Sequence, residues 1–235
     1  LKSGMRVLDA GCGPGKTTSI LSSMIMPGGH ILGVDYSEKR IQYAKRKYRK
    51  KTSVDFRIQD LREPLEGSEK FDLVWVRFVL EYNRTESVQI VKNLTERLKP
   101  GGYLCLLDLD QNCLNHYGLP DMMDGMLSKL MSFVEKNLNF DPYSGRKLYA
   151  YLYDEGYENI QVDLRPHHLF YGKMRSADIF NWLKKAEVAS ARIAELFEEY
   201  PGGFEAFYRG FETFLEDPRR FTYTPLIICR GRKPI

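Results

Sequence analysis

The chain has 235 residues, of which 43% are hydrophobic and 28% charged, with a formal net charge of +4 at pH 7. That size buries one well-cored α/β domain with appended helical segments, and the balance excludes a disordered chain. No apolar run approaches the roughly 20 residues that a membrane-crossing helix needs, and nothing carries the charge and cleavage pattern of a signal peptide.

Apolar runs alternate with helix-like stretches, which predicts a doubly wound, mostly parallel seven-stranded sheet of Rossmann-like type. The predicted strands are Arg6 to Asp9, His30 to Asp35, Val54 to Gln59, Phe71 to Val76, Gly102 to Asp108, Ile160 to Leu164 and Thr222 to Arg230. Ser37 is the expected N-cap of a helix over Glu38 to Arg49, and Pro100 marks the end of another over Val88 to Lys99.

The first strand ends on an acid and breaks at once into Ala10-Gly11-Cys12-Gly13-Pro14-Gly15. Alternating glycines let a backbone turn sharply and approach a ligand with no Cβ in the way, so this loop reads as a nucleotide cradle between strand and helix. Three kinds of cradle overlap here. Ala10 to Thr17, AGCGPGKT, is one Ala-for-Gly change from a phosphate loop, but Asp9 would repel the phosphates gathered there. The dinucleotide pattern GxGxxG is met at Gly11 and Gly13 and fails at Lys16. The third holds a nucleoside joined to positive charge, and there Asp9 helps. Asp35 closes the next apolar run, 20 residues after Gly15, where an acid on the second strand meets a ribose diol with its two oxygens.

With VLDAGCGPG at Val7 to Gly15, GVDYS at Gly33 to Ser37, QDL at Gln59 to Leu61, FDLVWVRFVLEY at Phe71 to Tyr82 and LKPGG at Leu98 to Gly102, the first half of the chain resembles the class I S-adenosylmethionine-dependent methyltransferases, in their broad small-molecule group. The resemblance implies S-adenosylmethionine as cofactor and S-adenosylhomocysteine as product. It places Asp9, Ala10, Gly11 and Gly13 around the methionine portion, Asp35 on the ribose and Tyr36 against one adenine face. Asp60 and the Leu61 backbone fall at the adenine amino edge, and Val76 with Arg77 over the methionine end. Tyr82 stands where the family commonly has histidine, and Arg40 where an apolar residue commonly packs near adenine. The resemblance also implies a helical segment ahead of the first strand, which would precede Leu1.

A single domain over 1–235 is expected, with helical lid insertions over 111–139 and 172–218, since both segments exceed the short connections usual in such sheets. The first carries Met122, Met123, Met126, Leu127, Leu130, Met131 and Phe133 at helix-like spacing, which suits either an adaptable ligand-facing helix or simple core filling. The second places Ile179, Trp182, Leu183, Ala186, Ile193, Leu196 and Phe197 on one stripe and Phe204, Phe207, Phe211 and Phe214 on the next. A helical layer of this composition would enclose an apolar or aromatic acceptor.

The implied reaction is an in-line attack by an acceptor oxygen, nitrogen, sulfur or carbon on the activated methyl, which needs positioning and water exclusion more than a strong base. No motif assigns a catalytic residue. By residue type alone His116 and His168, with His167 beside it, are the candidates for removing a proton. Adjacent His167 and His168, and Cys113 near His116, lack ligand spacing, so no metal site is expected. The four cysteines, Cys12, Cys105, Cys113 and Cys229, form no CxxC pair or disulfide framework, and cytoplasm is the expected compartment.

Lys39 to Lys51 holds eight Lys or Arg in thirteen residues, read as a solvated helix face with Ile41, Ala44 and Tyr48 turned inward. Val76-Arg77-Phe78-Val79 occupies the place where methyltransferases of nucleic-acid bases carry a proline-rich box, which argues against such a partner. The leading expectation is a methyltransferase acting on a small, apolar or aromatic acceptor. The alternatives are an RNA or other macromolecule methyltransferase, a phosphate-loop nucleotide hydrolase, and a cofactor-binding protein without turnover.

Overall fold

The computed structural model describes residues 1–190 and 193–235. The chain forms two compact units, one of 1–109, 143–165 and 226–235, the other of 110–142 and 166–225.

Chain order in the first unit begins β1 (Arg6–Ala10), α1 (Lys16–Met24), β2 (His30–Asp35), α2 (Glu38–Lys47), β3 (Val54–Ile58), β4 (Phe71–Arg77), α3 (Ser87–Glu96) and β5 (Leu98–Leu109). The second unit supplies β6 (His116–Tyr117) and α4 (Asp121–Asn137); α5 (Leu148–Asp154) returns to the first. Then come β7 (Glu158–Tyr171), α6 (Ser176–Ser190), α7 (Gly203–Glu216) and β8 (Phe221–Arg232).

In the first unit the strands pair in the order β3-β2-β1-β4-β5-β8, parallel except for the antiparallel β5–β8 pair. The chain winds outward from β1 through β2 to β3 and then returns to β4 on the other side of β1. That reversal opens a crevice at the carboxyl ends of β1 and β4, where a ligand of such a sheet binds.

β1 is buried from Val7 to Ala10, as a strand covered on both faces must be. Its residues alternate between two cores: Val7 packs with Ile31, Ile41, Ala44 and Phe56, whereas Leu8 and Ala10 pack with Val34, Val74 and Leu104. Burying each such side chain stabilises the fold by about 1.5–3 kcal/mol. α2 explains its own basic composition. Ile41 and Ala44 are buried while Lys39, Arg40, Lys45, Arg46 and Lys47 face solvent, as expected for a helix covering one sheet face.

The expected seven strands are all present, and the short β6 is an eighth. Two residues leave no periodicity to read. α3 stops at Glu96 rather than Lys99, because Leu98 already pairs with Phe71 and the register shifts before Leu73 meets Tyr103. β7 runs well past the predicted Leu164, through Pro166 to Tyr171.

The second unit is built on α4, α6 and α7. α7 buries Phe207, Phe211 and Phe214 at successive helical turns, and α4 buries Met123, Met126, Leu127 and Leu130, all in one apolar cluster with Trp182. Both long segments are therefore helical, as their spacing predicts. The start of β8 pairs with β6 here, Thr222 opposite His116.

Candidate cofactor site

The carboxyl ends of four neighbouring strands bring most of the predicted cofactor residues together. Asp9 and Ala10 end β1, Asp35 ends β2, Val76 and Arg77 end β4, and Asp60 and Leu61 follow β3. The N–H of Gln59 donates to the carbonyl of Asp35 at 3.1 Å, which ties the β3 end to the β2 end.

Between β1 and α1 the loop is locked by its own donors. The N–H groups of Gly11 and Cys12 both donate to the carbonyl of Val34, at 2.8 and 2.9 Å, and that of Gly15 to Cys12 at 3.0 Å. The N–H of Gly13 donates to Oδ2 of Asp35 at 2.9 Å, while Oδ1 of Asp35 accepts from the N–H of Ser37 at 2.9 Å. A phosphate cradle needs these donors pointing at the ligand. Here they are committed to the protein, so the AGCGPGKT match does not build a phosphate loop.

Two of these glycines differ in what a side chain would meet. Gly11 has φ +76°, and a Cβ there would lie 2.2 Å from Cγ2 of Val79. Gly13 has φ +54°, and its Cβ direction meets no atom within 4 Å, which leaves an open side beside Asp35.

The electrostatics favour a cation. Asp9 is 2% exposed and Asp35 4%. Burial pushes the Asp9 carboxyl up to about 6, against the Thr18 hydroxyl bonded to it and the charge of Arg77, with Asp35 adding to the rise. A positive group in the crevice would relieve that unfavourable burial of charge. The same two acids, with burial, push the Cys12 thiol far above its ordinary range, so it is no nucleophile.

The remaining predicted residues divide. Tyr36 is exposed, with its ring free to lie against a flat base. Val76 is buried within the core, and the Arg77 guanidinium lies 4.4 Å from the centre of the Phe78 ring. Asp60 is held by Arg62, whose Nη2 donates to it at 2.6 Å and whose bonding keeps the carboxyl below its usual range. The carbonyl of buried Leu61 accepts from Nδ2 of Asn93 at 3.0 Å. Arg40 is exposed on α2.

His116 and His168 lie in the second unit. Nδ1 of His116 is 2.9 Å from the Thr222 hydroxyl and Nε2 is 3.2 Å from the carbonyl of Cys113, so both ring nitrogens are engaged. Nδ1 of His168 is 3.3 Å from the Thr224 hydroxyl. Burial lowers both imidazoles to about 4, so both are neutral at pH 7.

Sequence reading gives no cofactor role to Thr18, Val79 or Asp108. Asp108, 1% exposed near the end of β5, accepts from the N–H of Glu81 at 3.1 Å and the hydroxyl of Ser144 at 3.3 Å, and burial pushes it up to about 7. An acid closing an apolar strand was the available signal, the same one that exposed Asp9 and Asp35.

A family of sequences described as methyltransferase domain matches residues 1–156. The chain belongs to the class I methyltransferases. A Staphylococcus saprophyticus protein named demethylmenaquinone methyltransferase is 34% identical over 112 residues, 47% of each chain. This methyltransferase chain thus spans about half the length of the curated relatives it matches. Haemonchus contortus phosphoethanolamine N-methyltransferase 2, solved with S-adenosyl-L-methionine, superposes with a TM-score of 0.60 at 17% identity, covering 100% of this chain and 50% of that one. The (4+2)-cyclase SpnF also has a TM-score of 0.60, at 21% identity, covering 100% of this chain and 77% of that one. These likenesses establish a shared methyltransferase fold. Among the described residues no helix is long and apolar enough to cross a membrane, and no cluster of three or more His, Cys, Asp or Glu is placed to hold a metal.

Proposed function

We propose that this methyltransferase domain binds S-adenosylmethionine at the carboxyl ends of β1 and β2 and transfers its methyl group to a small acceptor. The observation that carries the reading is the pair of buried acids, Asp9 and Asp35, flanking a glycine loop whose N–H groups are already spent. A polyphosphate finds repulsion and glycine-loop N–H groups already committed; a cationic nucleoside finds two carboxylates and the open side at Gly13.

In this reading Asp35 keeps lone pairs for two adjacent ribose hydroxyls, while its bonds to Gly13 and Ser37 fix its orientation. Tyr36 covers a face of the base, with Asp60 and the Leu61 backbone at the amino edge. Asp9 faces the positive end, and Arg77 suits the carboxylate of the methionine portion. The cofactor supplies an already activated methyl group when bound. The protein's own contribution is to orient the two reactants and exclude water, so no strong base is demanded. The name of the Staphylococcus relative supports a small-molecule acceptor over a macromolecule.

Calorimetric titration with S-adenosylmethionine and with Mg-ATP tests the binding half. Binding of S-adenosylmethionine alone is expected, and binding of ATP alone overturns the reading. Release of S-adenosylhomocysteine across a panel of small aromatic acceptors tests the transfer half; cofactor binding with no turnover across the panel would point to a protein without catalysis.

A further inference from the structure

The second unit holds a polar seam inside its aromatic cluster. Arg220, just ahead of β8, and Thr222 and Thr224 along it are all buried, at alternate positions that share one face. The threonine hydroxyls meet His116 and His168. Both imidazoles stand against the indole of Trp182, with ring centres 5.7 and 5.4 Å apart, and His116 also meets the rings of Phe211 and Phe214 edge-on.

Within this seam the unsatisfied atoms are donors. Nε of Arg220 donates to the carbonyl of Leu215 at 2.9 Å and Nη2 to that of Gly172 at 3.4 Å, but Nη1 is buried with no acceptor. The indole Nε1 of Trp182 is likewise buried with none. Among the described residues no carboxylate bonds the Arg220 guanidinium. Asp217, its neighbour in sequence, is bonded by Arg219 and acts on Arg220 only at a distance. Lys185 adds further positive charge, its Nζ 4.9 Å from the centre of the Trp182 ring.

A buried, unpaired guanidinium is strongly unfavourable, and stranded donors are each costly. Their common remedy is a ligand with acceptor oxygens and negative charge, flat enough to lie among aromatic rings. Met123, Met126 and Met174 in the same cluster are the side chains that repack most readily to admit a ring.

We propose that the second unit binds a planar aromatic anion, a carboxylate or phenolate, whose oxygens are taken by Nη1 of Arg220 and Nε1 of Trp182 and whose ring lies among Trp182, Phe211 and Phe214. Only the ligand's role as methyl acceptor rests on the reading above; the binding does not.

The test uses the full chain with nitrogen-labelled tryptophan. Its two indole N–H resonances belong to Trp75 and Trp182 and are assigned through Trp75→Phe. The probes are 2-naphthoate and the neutral 2-naphthylmethanol. 2-Naphthoate is expected to move the Trp182 resonance, to raise the melting midpoint, and to bind at least about tenfold more tightly than the alcohol. Arg220→Met, which keeps the volume and removes the charge, is expected to abolish that preference. Should that variant not fold, Arg220→Lys, which lacks the Nη1 fork, is expected to narrow the preference. An unmoved Trp182 resonance, equal affinity for the two probes, or an unchanged preference in the folded variant overturns the proposal. Titrating S-adenosylmethionine in the same sample keeps the two ideas apart. Cofactor binding without naphthoate binding sinks this inference alone, and the reverse sinks the methyl-transfer reading alone.

Discussion

The hydroxyl of Thr18 donates a 2.6 Å hydrogen bond to Oδ2 of Asp9, and both side chains are buried. α1 thereby holds the acid that ends β1. The bond compensates only part of the burial, since the Asp9 carboxyl still titrates at about 6. A carboxylate whose folded value exceeds its unfolded one weakens the fold above the folded value; the penalty declines as pH falls below it and is gone below the unfolded value. Asp9→Asn keeps an acceptor for Thr18 and removes the charge. The variant should be more stable at pH 7 by about 1–3 kcal/mol in a denaturant melt and should bind S-adenosylmethionine at least about tenfold more weakly by calorimetry. Equal stability together with intact binding would show that the acid serves neither purpose.

The same titration sets the pH dependence of binding. A cationic ligand favours ionised Asp9, so affinity should be flat above about pH 7 and decline below about pH 6, approaching tenfold per pH unit. In Asp9→Asn the decline should vanish. A wild-type profile that stays flat down to pH 5 would remove Asp9 from contact with the positive end.

Much of this site could be read from residue order, and the reason is local. An acid at the end of an apolar run followed by alternating glycines is a strand, an edge and a loop written consecutively, so Asp9, Gly11, Gly13 and Asp35 fall where expected. What the sequence conceals are partnerships across the fold. Arg219 and Arg220 look alike in the chain, yet one is an exposed partner of Asp217 and the other is buried, with its Nε donating to the carbonyl of Leu215. Only the helix α7 and the strand β8 on either side of them decide which points inward. Asp60 likewise reads as a free acceptor until Arg62 folds back on it. β6 was too short to leave a pattern, and β7 extends well beyond the predicted Leu164.

Gly11 and Gly13 should respond differently to one added methyl. Gly11→Ala combines φ +76° with a Cβ 2.2 Å from Cγ2 of Val79, so destabilisation of about 2–4 kcal/mol is expected. Adding Val79→Ala should recover part of it, because the clash is then absent. Gly13→Ala, at φ +54° and in open space, should cost only about 1 kcal/mol while weakening cofactor binding, since its Cβ enters the side left open beside Asp35. Denaturant melts and calorimetry on both variants check the contrast, and a Gly13→Ala protein with unaltered affinity would contradict it.

The two units should answer acid in opposite directions. In the first, Asp9 and Asp108 titrate at about 6 and about 7, above the unfolded carboxyl range, so lowering the pH from 7 to 5 protonates them in the folded state and relieves buried charge. In the second, His116 and His168 titrate at about 4, below an unfolded imidazole. Over the same interval the unfolded chain takes up protons there and the folded chain does not, which favours unfolding. For His116 the loss at pH 5 amounts to about 2 kcal/mol, and half-buried His168 adds less because solvent screens it. Amide hydrogen exchange in moderate urea, corrected for the intrinsic pH dependence of exchange, should show protection rising in β1, β4 and β5 and falling in α4 and α7 as pH drops. A His116→Phe variant, which fits among Trp182, Phe211 and Phe214 and carries no titrating group, should lose most of the acid sensitivity of α4 and α7. Protection that falls equally in both units would mean that these four side chains do not govern the response.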